Sequence, residues 1–154
     1  FGCGVLAYDV APNGSVREMG VNYLLLAGVR GKADIVSLHC PACPATRQLV
    51  NAERLAAMKP AAYLINTDRG DLIDEEALIE ALQSGHLAGA GLDVFAREPA
   101  VDPRLIALPN VITLPHLGSA TIEGRAHAGE KVIANIRFWI DGHRPPDQVL
   151  EGWI

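Results

Sequence analysis

The sequence has little cysteine, no long apolar run and no basic cluster, and each absence removes a class of protein. Three cysteines, Cys3, Cys40 and Cys43, are too few and odd in number for the disulfide scaffold of a small secreted domain. They fit a reducing compartment, and a cytoplasmic location is expected. No apolar stretch approaches the ~20 residues that span a bilayer, so no membrane partner is expected. Lys and Arg total 13 against 18 Asp and Glu, a net charge of −5, with no cluster of one sign. A protein that neutralises phosphates needs a basic patch, so no nucleic-acid partner is expected either. What remains is a globular composition, 49% apolar and 20% charged over 154 residues, about one domain's worth. A chain of that size buries roughly 68–70% of its unfolded surface, enough for a real core.

Short apolar runs recur at Val5-Leu6-Ala7-Tyr8, Ile35-Val36-Ser37-Leu38, Tyr63-Leu64-Ile65, Ala90 to Phe95 and Val111-Ile112-Thr113-Leu114. None alternates cleanly with polar residues, which predicts strands covered on both faces, as in a parallel sheet. Helical patterns lie between them. Asn51 is placed to cap a short helix carrying Leu55 and Met58, stopped by Pro60. Asp74 is placed to cap the helix EEALIEALQSG, with Glu75 and Glu76 in the first turn, Leu78, Ile79 and Leu82 on one face and Gly85 ending it. Residues 12–32 predict one irregular helical crossover. A longer helix is expected from Thr121 to Trp139, with Ala126, Gly129, Val132, Ile133, Ile136 and Ile140 on one face. Strands alternating with helices predict an α/β domain with a parallel sheet.

The polar residues after each run carry the functional signal. Asp9 follows the first, His39, Cys40 and Pro41 the second, Thr67, Asp68 and Arg69 the third, Arg97 and Glu98 the fourth, Pro115 and His116 the fifth. In a parallel sheet these groups gather at the carboxyl edge, where open α/β sheets bind ligands. Asp9 is either the carboxylate that holds an adenosine ribose or a loop Asp that starts a turn before Pro12. As the ribose acid it repels a 2′-phosphate and favours NAD(H) over NADP(H). Gly2-Cys3-Gly4 precedes a strand, so it is not a phosphate loop, and the expected glycine turn would lie roughly 20 residues upstream of Asp9. Cys40-Pro41-Ala42-Cys43 offers a redox pair or half of a zinc site, but a cofactor-side loop is favoured and no metal is expected. His116 ends a run and has Glu98 and Arg69 as candidate partners. A carboxylate beside a histidine favours its protonated form, and such a pair suits general acid–base chemistry. Arg69 offers a planar fork of donors for a carboxylate. His86, His127 and His143 are assigned surface or helix-face roles.

The stretches VLAYD, ADIVSLHCP with ATRQLVN, MKPAAYLINTDRGDLIDEEAL, AGAGLDVFAREP, LPNVITLPHLGSAT and DGHRPPDQV together resemble the D-isomer-specific 2-hydroxyacid dehydrogenases over essentially the whole chain. The resemblance implies a Rossmann-type parallel sheet. Residues 1–118 would form a dinucleotide-binding domain lacking its first strand and glycine loop, so that it binds a pyrophosphate poorly alone. Residues 119–154 would form a C-terminal helix and tail belonging to the substrate domain. It implies an NAD(H)-dependent oxidoreductase acting on a small 2-keto acid, in the glyoxylate or hydroxypyruvate branch, working as a homodimer. Arg69 would anchor the keto acid and Glu98 would support His116 as the acid–base group. Asp9 would bind the ribose, and Cys40, Pro41 and Thr46 would line the cofactor loop. Thr67, Asp68, Arg69 and Asp93 would lie near the nicotinamide, with His116, Gly118 and Ser119 closing that side. Asp68 departs from the family, which usually has a small residue there; Ala42 and Cys43 replace a Leu-Thr; no regulatory domain is expected after DGHRPP. The alternatives are a dinucleotide-sensing, corepressor-like binding protein and an inactive truncated remnant.

Overall fold

The computed structural model describes residues 2–149. The chain divides into two compact units, Phe1–Leu114 and Pro115–Ile154. The first unit runs β1 (Leu6–Ala7), α1 (Gly14–Glu18), β2 (Asn22–Tyr23), α2 (Leu26–Lys32), β3 (Ile35–Leu38), α3 (Ala52–Ala56), β4 (Ala62–Asn66), α4 (Glu75–Gln83), β5 (Leu87–Leu92), α5 (Pro103–Ala107) and β6 (Val111–Thr113). All strand pairs are parallel: β1 with β2, and separately β3-β4-β5-β6 in that order. This is the α/β architecture expected from the sequence. Two details differ. Residues 12–32 hold two helices with β2 between them rather than one crossover, because Asn22–Tyr23 pairs with Leu6–Ala7. The apolar runs also do not belong to a single hydrogen-bonded sheet, since β1 pairs only with β2 among the described residues.

Capping residues start the helices where the sequence placed them. The Asn51 side chain accepts from Arg54 N–H at 3.0 Å to start α3, and Asp74 accepts from Ala77 N–H at 3.2 Å to start α4. Each satisfies an amide that has no partner inside its own helix. The apolar stripe of α4, Leu78, Ile79 and Leu82, is buried against α3 and β5. Leu64 of β4, Leu72, Leu78, Leu87 and Leu105 have no exposed surface, and these leucines form the centre of the core. This core covers one face of the four-stranded sheet. Cα register puts Ile35, Tyr63 and Gly89 in one row and Ile65, Gly91 and Ile112 in the next. On that second face Ile35, Tyr63 and Ile112 are exposed, which corrects the expectation of strands covered on both faces.

In the second unit, Thr121 accepts from Gly124 N–H at 3.0 Å and caps the long helix α6 (Ile122–Ile140). The expected helix is present, but its apolar residues Val132, Ile133, Ile136 and Ile140 are exposed. The following tail folds back on α6 through Asp147, which accepts from Lys131 Nζ and from Asn135 Nδ2, each at 2.8 Å. No helix among the described residues is long and apolar enough to cross a membrane.

A charged cluster ties α5 to α4. Arg104 donates to both Glu76 oxygens, at 2.7 and 2.6 Å, and to Asp102, which also caps α5. The Arg104 guanidinium holds the Asp102 carboxyl down at about 2 from its ordinary 3.8, and lowers Glu76. A depressed carboxylate contributes stability that is full above its unfolded value and is lost as pH falls through the folded one. The cluster should therefore fail between pH 3.8 and about 2. Asp102→Asn keeps the capping oxygen but not the charge. Its melting temperature, followed from neutrality into this window, should fall less steeply than that of the wild type.

Candidate functional site

Register builds the site. Leu38, Asn66, Leu92 and Thr113 are Cα partners across β3, β4, β5 and β6, so these strands end together. His39 and Cys40, Thr67 to Arg69, and Asp93 therefore leave the sheet along one edge. Asp93 is buried, 2% exposed, and its N–H donates to Asn66 O at 2.9 Å.

The turn carrying Arg69 is held by Asn66, which has no exposed surface. Its Nδ2 donates to Arg69 O at 2.8 Å and its Oδ1 accepts from Asp68 N–H at 3.1 Å. A buried amide with both ends satisfied fixes the turn, since leaving either end unpaired is costly. Gly70 continues the turn where no side chain fits: a Cβ there would lie 2.0 Å from Phe95 C and 2.4 Å from Ala96 N. The segment it touches carries Glu98, whose Oε1 accepts from Phe95 N–H at 2.9 Å. Glu75 of α4 steadies the same segment by accepting from Ala96 N–H at 2.7 Å. Arg69 is itself exposed; its Nη1 donates to Asp68 O at 2.7 Å, and no described carboxylate pairs with it. The Asp68 carboxylate acts on Cys40 instead, and forms no ion pair with Arg69.

The loop after β3 is joined to this turn. Gln48 N–H donates to Asp71 O at 2.7 Å, Val50 N–H to Leu72 O at 2.9 Å, and Asp74 N–H to Val50 O at 3.0 Å. Within the loop the Thr46 hydroxyl donates to Pro41 O at 2.7 Å and accepts from Cys43 N–H at 2.9 Å. Burial pushes the Cys40 thiol up, with the Asp68 charge adding to it; the Thr46 hydroxyl and nearby amides bring Cys43 down. Among the described residues, no cluster of His, Cys, Asp or Glu could hold a metal ion.

The structure thus brings Cys40, Pro41, Thr46, Thr67, Asp68, Arg69, Asp93 and Glu98 into one linked region. Asp9 follows β1 of the two-stranded sheet and is exposed, accepting from Ala11 N–H at 2.8 Å. This bond is the one a turn-starting Asp makes, and lone pairs remain for a further donor. Arg17 lies over the Tyr23 ring, 5.4 Å from its centroid. His116, Gly118 and Ser119 belong to the second unit and are exposed. His116 has φ of 56°, a left-handed conformation uncommon outside glycine and found disproportionately at functional positions. His86 has a structural role, with Nε2 3.1 Å from Leu55 O. Asn66, Gly70 and Glu75 were not among the sequence candidates. An Asn ending an apolar strand, with Gly four residues on, was the available signal.

An open parallel sheet with its polar groups at the carboxyl edge is the architecture of a dinucleotide-binding domain. The chain belongs to the D-isomer specific 2-hydroxyacid dehydrogenases: residues 1–118 match that family's NAD binding domain. It is 41% identical over 151 residues to a D-3-phosphoglycerate dehydrogenase of Mycobacterium leprae, covering 97% of this chain and 28% of that protein. It is 44% identical over 133 residues to a glyoxylate reductase of Pyrococcus furiosus, covering 86% of this chain and 40% of the relative. Its structure is similar to that of D-lactate dehydrogenase with NAD+ from Lactobacillus jensenii, with a TM-score of 0.88 and 36% identity over 97% of this chain and 49% of the other. The chain spans less than half the length of these relatives.

Asn66→Leu should test the clamp. It keeps the volume but strands Asp68 N–H, at about 1–3 kcal/mol for a group left unpaired, and leaves Arg69 C=O with Leu72 N–H alone, at 3.3 Å. The urea midpoint should fall with the slope unchanged. An unaltered midpoint would mean that the turn holds without the amide.

Proposed function

We propose that this chain supplies most of the cofactor domain of an NAD(H)-dependent oxidoreductase that interconverts a small 2-keto acid and its D-2-hydroxy acid, with glyoxylate or hydroxypyruvate as substrate. The observation that carries the reading is the Arg69 turn: a guanidinium that no carboxylate among the described residues pairs with, on a turn fixed at the carboxyl edge of a parallel sheet by a buried amide. A cytoplasmic location and a homodimer belong to the same proposal, as does the assignment of residues 119–154 to a substrate domain.

The residues fit a dinucleotide. Asp9 keeps an exposed carboxylate with acceptor capacity for ribose hydroxyls, and among the described residues no cation neutralises it. Cys40, Pro41 and Thr46 would border the cofactor, with Thr67, Asp68 and Asp93 near its nicotinamide; Gly118 and Ser119 are further candidate cofactor residues. The outer edges of β1 and β3 pair with no other described strand, so each can accept a further parallel strand. A bound nicotinamide supplies or accepts the hydride.

The chain's own groups do the rest. Arg69 grips the substrate carboxylate with two parallel N–H donors, which sets the orientation of the reacting carbon. A His116 ring nitrogen gives a proton to the substrate oxygen in reduction and takes it back in oxidation. Glu98 stabilises the protonated ring between those events. Its hydrogen bond to Phe95 N–H fixes where that carboxylate sits.

NADH oxidation by the full-length protein, measured against glyoxylate, hydroxypyruvate and pyruvate, together with NAD+ reduction by 3-phosphoglycerate, tests this. Turnover with one of the small keto acids is expected. His116→Ala should lower kcat about 10²–10⁴-fold, the usual worth of a general acid. Arg69→Ala removes hydrogen bonds worth about 1.5–3 kcal/mol each, and should cut kcat/KM to a similar extent while NADH still binds. Tight NADH binding without turnover would overturn the enzyme reading in favour of a sensor.

A further inference from the structure

No step proposed above uses the sulfur of Cys43. Cys43 opens a helical turn, its carbonyl accepting from Thr46 N–H and Arg47 N–H, each at 3.0 Å. The Thr46 hydroxyl lies 3.4 Å from Cys43 Sγ. Its single proton has competing acceptors, Pro41 O at 2.7 Å and Cys43 O at 3.2 Å. Once the sulfur ionises it becomes the charged acceptor and draws that proton, because charge-assisted hydrogen bonds are the stronger ones. The amides of Ala45 and Thr46 also favour the thiolate. Cys40, three residues earlier, sits in the opposite environment: partly buried, and raised further by the Asp68 carboxylate and by Cys43 itself. The two thiols are thus shifted in opposite directions, and charge on one is felt by the other. That asymmetry is what a nucleophilic thiol and a resolving thiol require.

We propose that Cys43 is a peroxide-reactive thiolate and Cys40 its resolving thiol, so that a hydroperoxide converts the loop after β3 to a Cys40–Cys43 disulfide. The Cys43 thiolate attacks the outer peroxide oxygen. The O–O bond breaks, an S–O bond forms, and the alkoxide or hydroxide leaves and takes up a proton as alcohol or water. Cys43, now a sulfenic acid, is oxidised by two electrons and the peroxide is reduced. The Cys40 sulfur then attacks Cys43 Sγ, forms the S–S bond and expels hydroxide, which leaves as water with the Cys40 proton. A dithiol reductant reverses the change.

The test is made on the reduced full-length protein with stoichiometric hydrogen peroxide, followed by intact mass and peptide mapping. The expected product has lost two hydrogens and carries a Cys40–Cys43 link, with exposed Cys3 unchanged. In Cys40→Ser the sulfenic acid should persist on Cys43 and be captured by dimedone; Cys43→Ser should form no link. Thr46→Val should slow alkylation of Cys43 at neutral pH. Each pKa unit costs about tenfold in thiolate and returns about threefold in nucleophilicity, so a slowing of about threefold per unit is expected. Oxidation of Cys43 no faster than of Cys3, or wild-type protein that stops at the sulfenic acid, overturns the proposal. The readout is mass, so this result and failure of the dehydrogenase reading are distinguishable.

Discussion

The buried Asn66 amide is the constraint on which the candidate site depends. It stands on the last residue of β4, and its side chain spans the turn that follows, donating at one end and accepting at the other. Its backbone also reaches sideways: Asn66 O receives Asp93 N–H from the end of β5. One residue thus sets the exit of β4, the path of the Arg69 turn and the position of Asp93. An aliphatic residue would suit the burial but not the turn, whose Asp68 amide would lack a partner and whose Arg69 carbonyl would keep only Leu72 N–H. The same turn presses Gly70 onto the backbone of Phe95 and Ala96, so that the segment carrying Glu98 is located by contact rather than by its own secondary structure. Arg69 and Glu98 lie 29 residues apart in sequence, yet their backbones belong to one packed junction.

Much of this was legible before any coordinates, and the reasons are local. Caps at Asn51 and Asp74 could be read because a polar residue just ahead of an apolar helical pattern has one main use, to accept from the first free amides. The gathering of Arg69, Asp68 and Cys40 could be read because parallel strands order their carboxyl ends without regard to loop detail. β2 was not legible. Two residues, Asn22–Tyr23, carry no periodicity, and only pairing with Leu6–Ala7 makes them a strand. Nor was the role of Asn66, since an Asn after an apolar run reads equally well as the start of a loop. Gly70 needed the approach of Phe95 to explain it, and that contact is not encoded near Gly70 in the chain. The expectation of strands covered on both faces failed for a related reason. The residues of Ile35, Tyr63 and Ile112 are apolar, but what covers a face is a property of the rest of the assembly.

Asp68 shows how one substitution in a shared framework redistributes charge. A carboxylate next to an arginine that is to hold an anion looks self-defeating, because a near ion pair would compete with the ligand. The structure avoids that outcome: Arg69 bonds the Asp68 carbonyl, while the Asp68 carboxylate acts on the neighbouring loop. Its effect falls on Cys40, which it helps to keep protonated. The cost of an extra negative charge at the site edge is thereby moved from the anion-binding group to a thiol. The Cys40 thiol is raised, by burial first and by Asp68 of the β4 turn second, while the Thr46 turn lowers that of Cys43. These elements are stitched together through Gln48, Val50 and Asp74, so the Cys40–Cys43 loop and the Arg69 turn share one hydrogen-bonded framework. A parallel sheet whose strands end in register makes such coupling hard to avoid, because every loop at its carboxyl edge must share the same few ångströms of space.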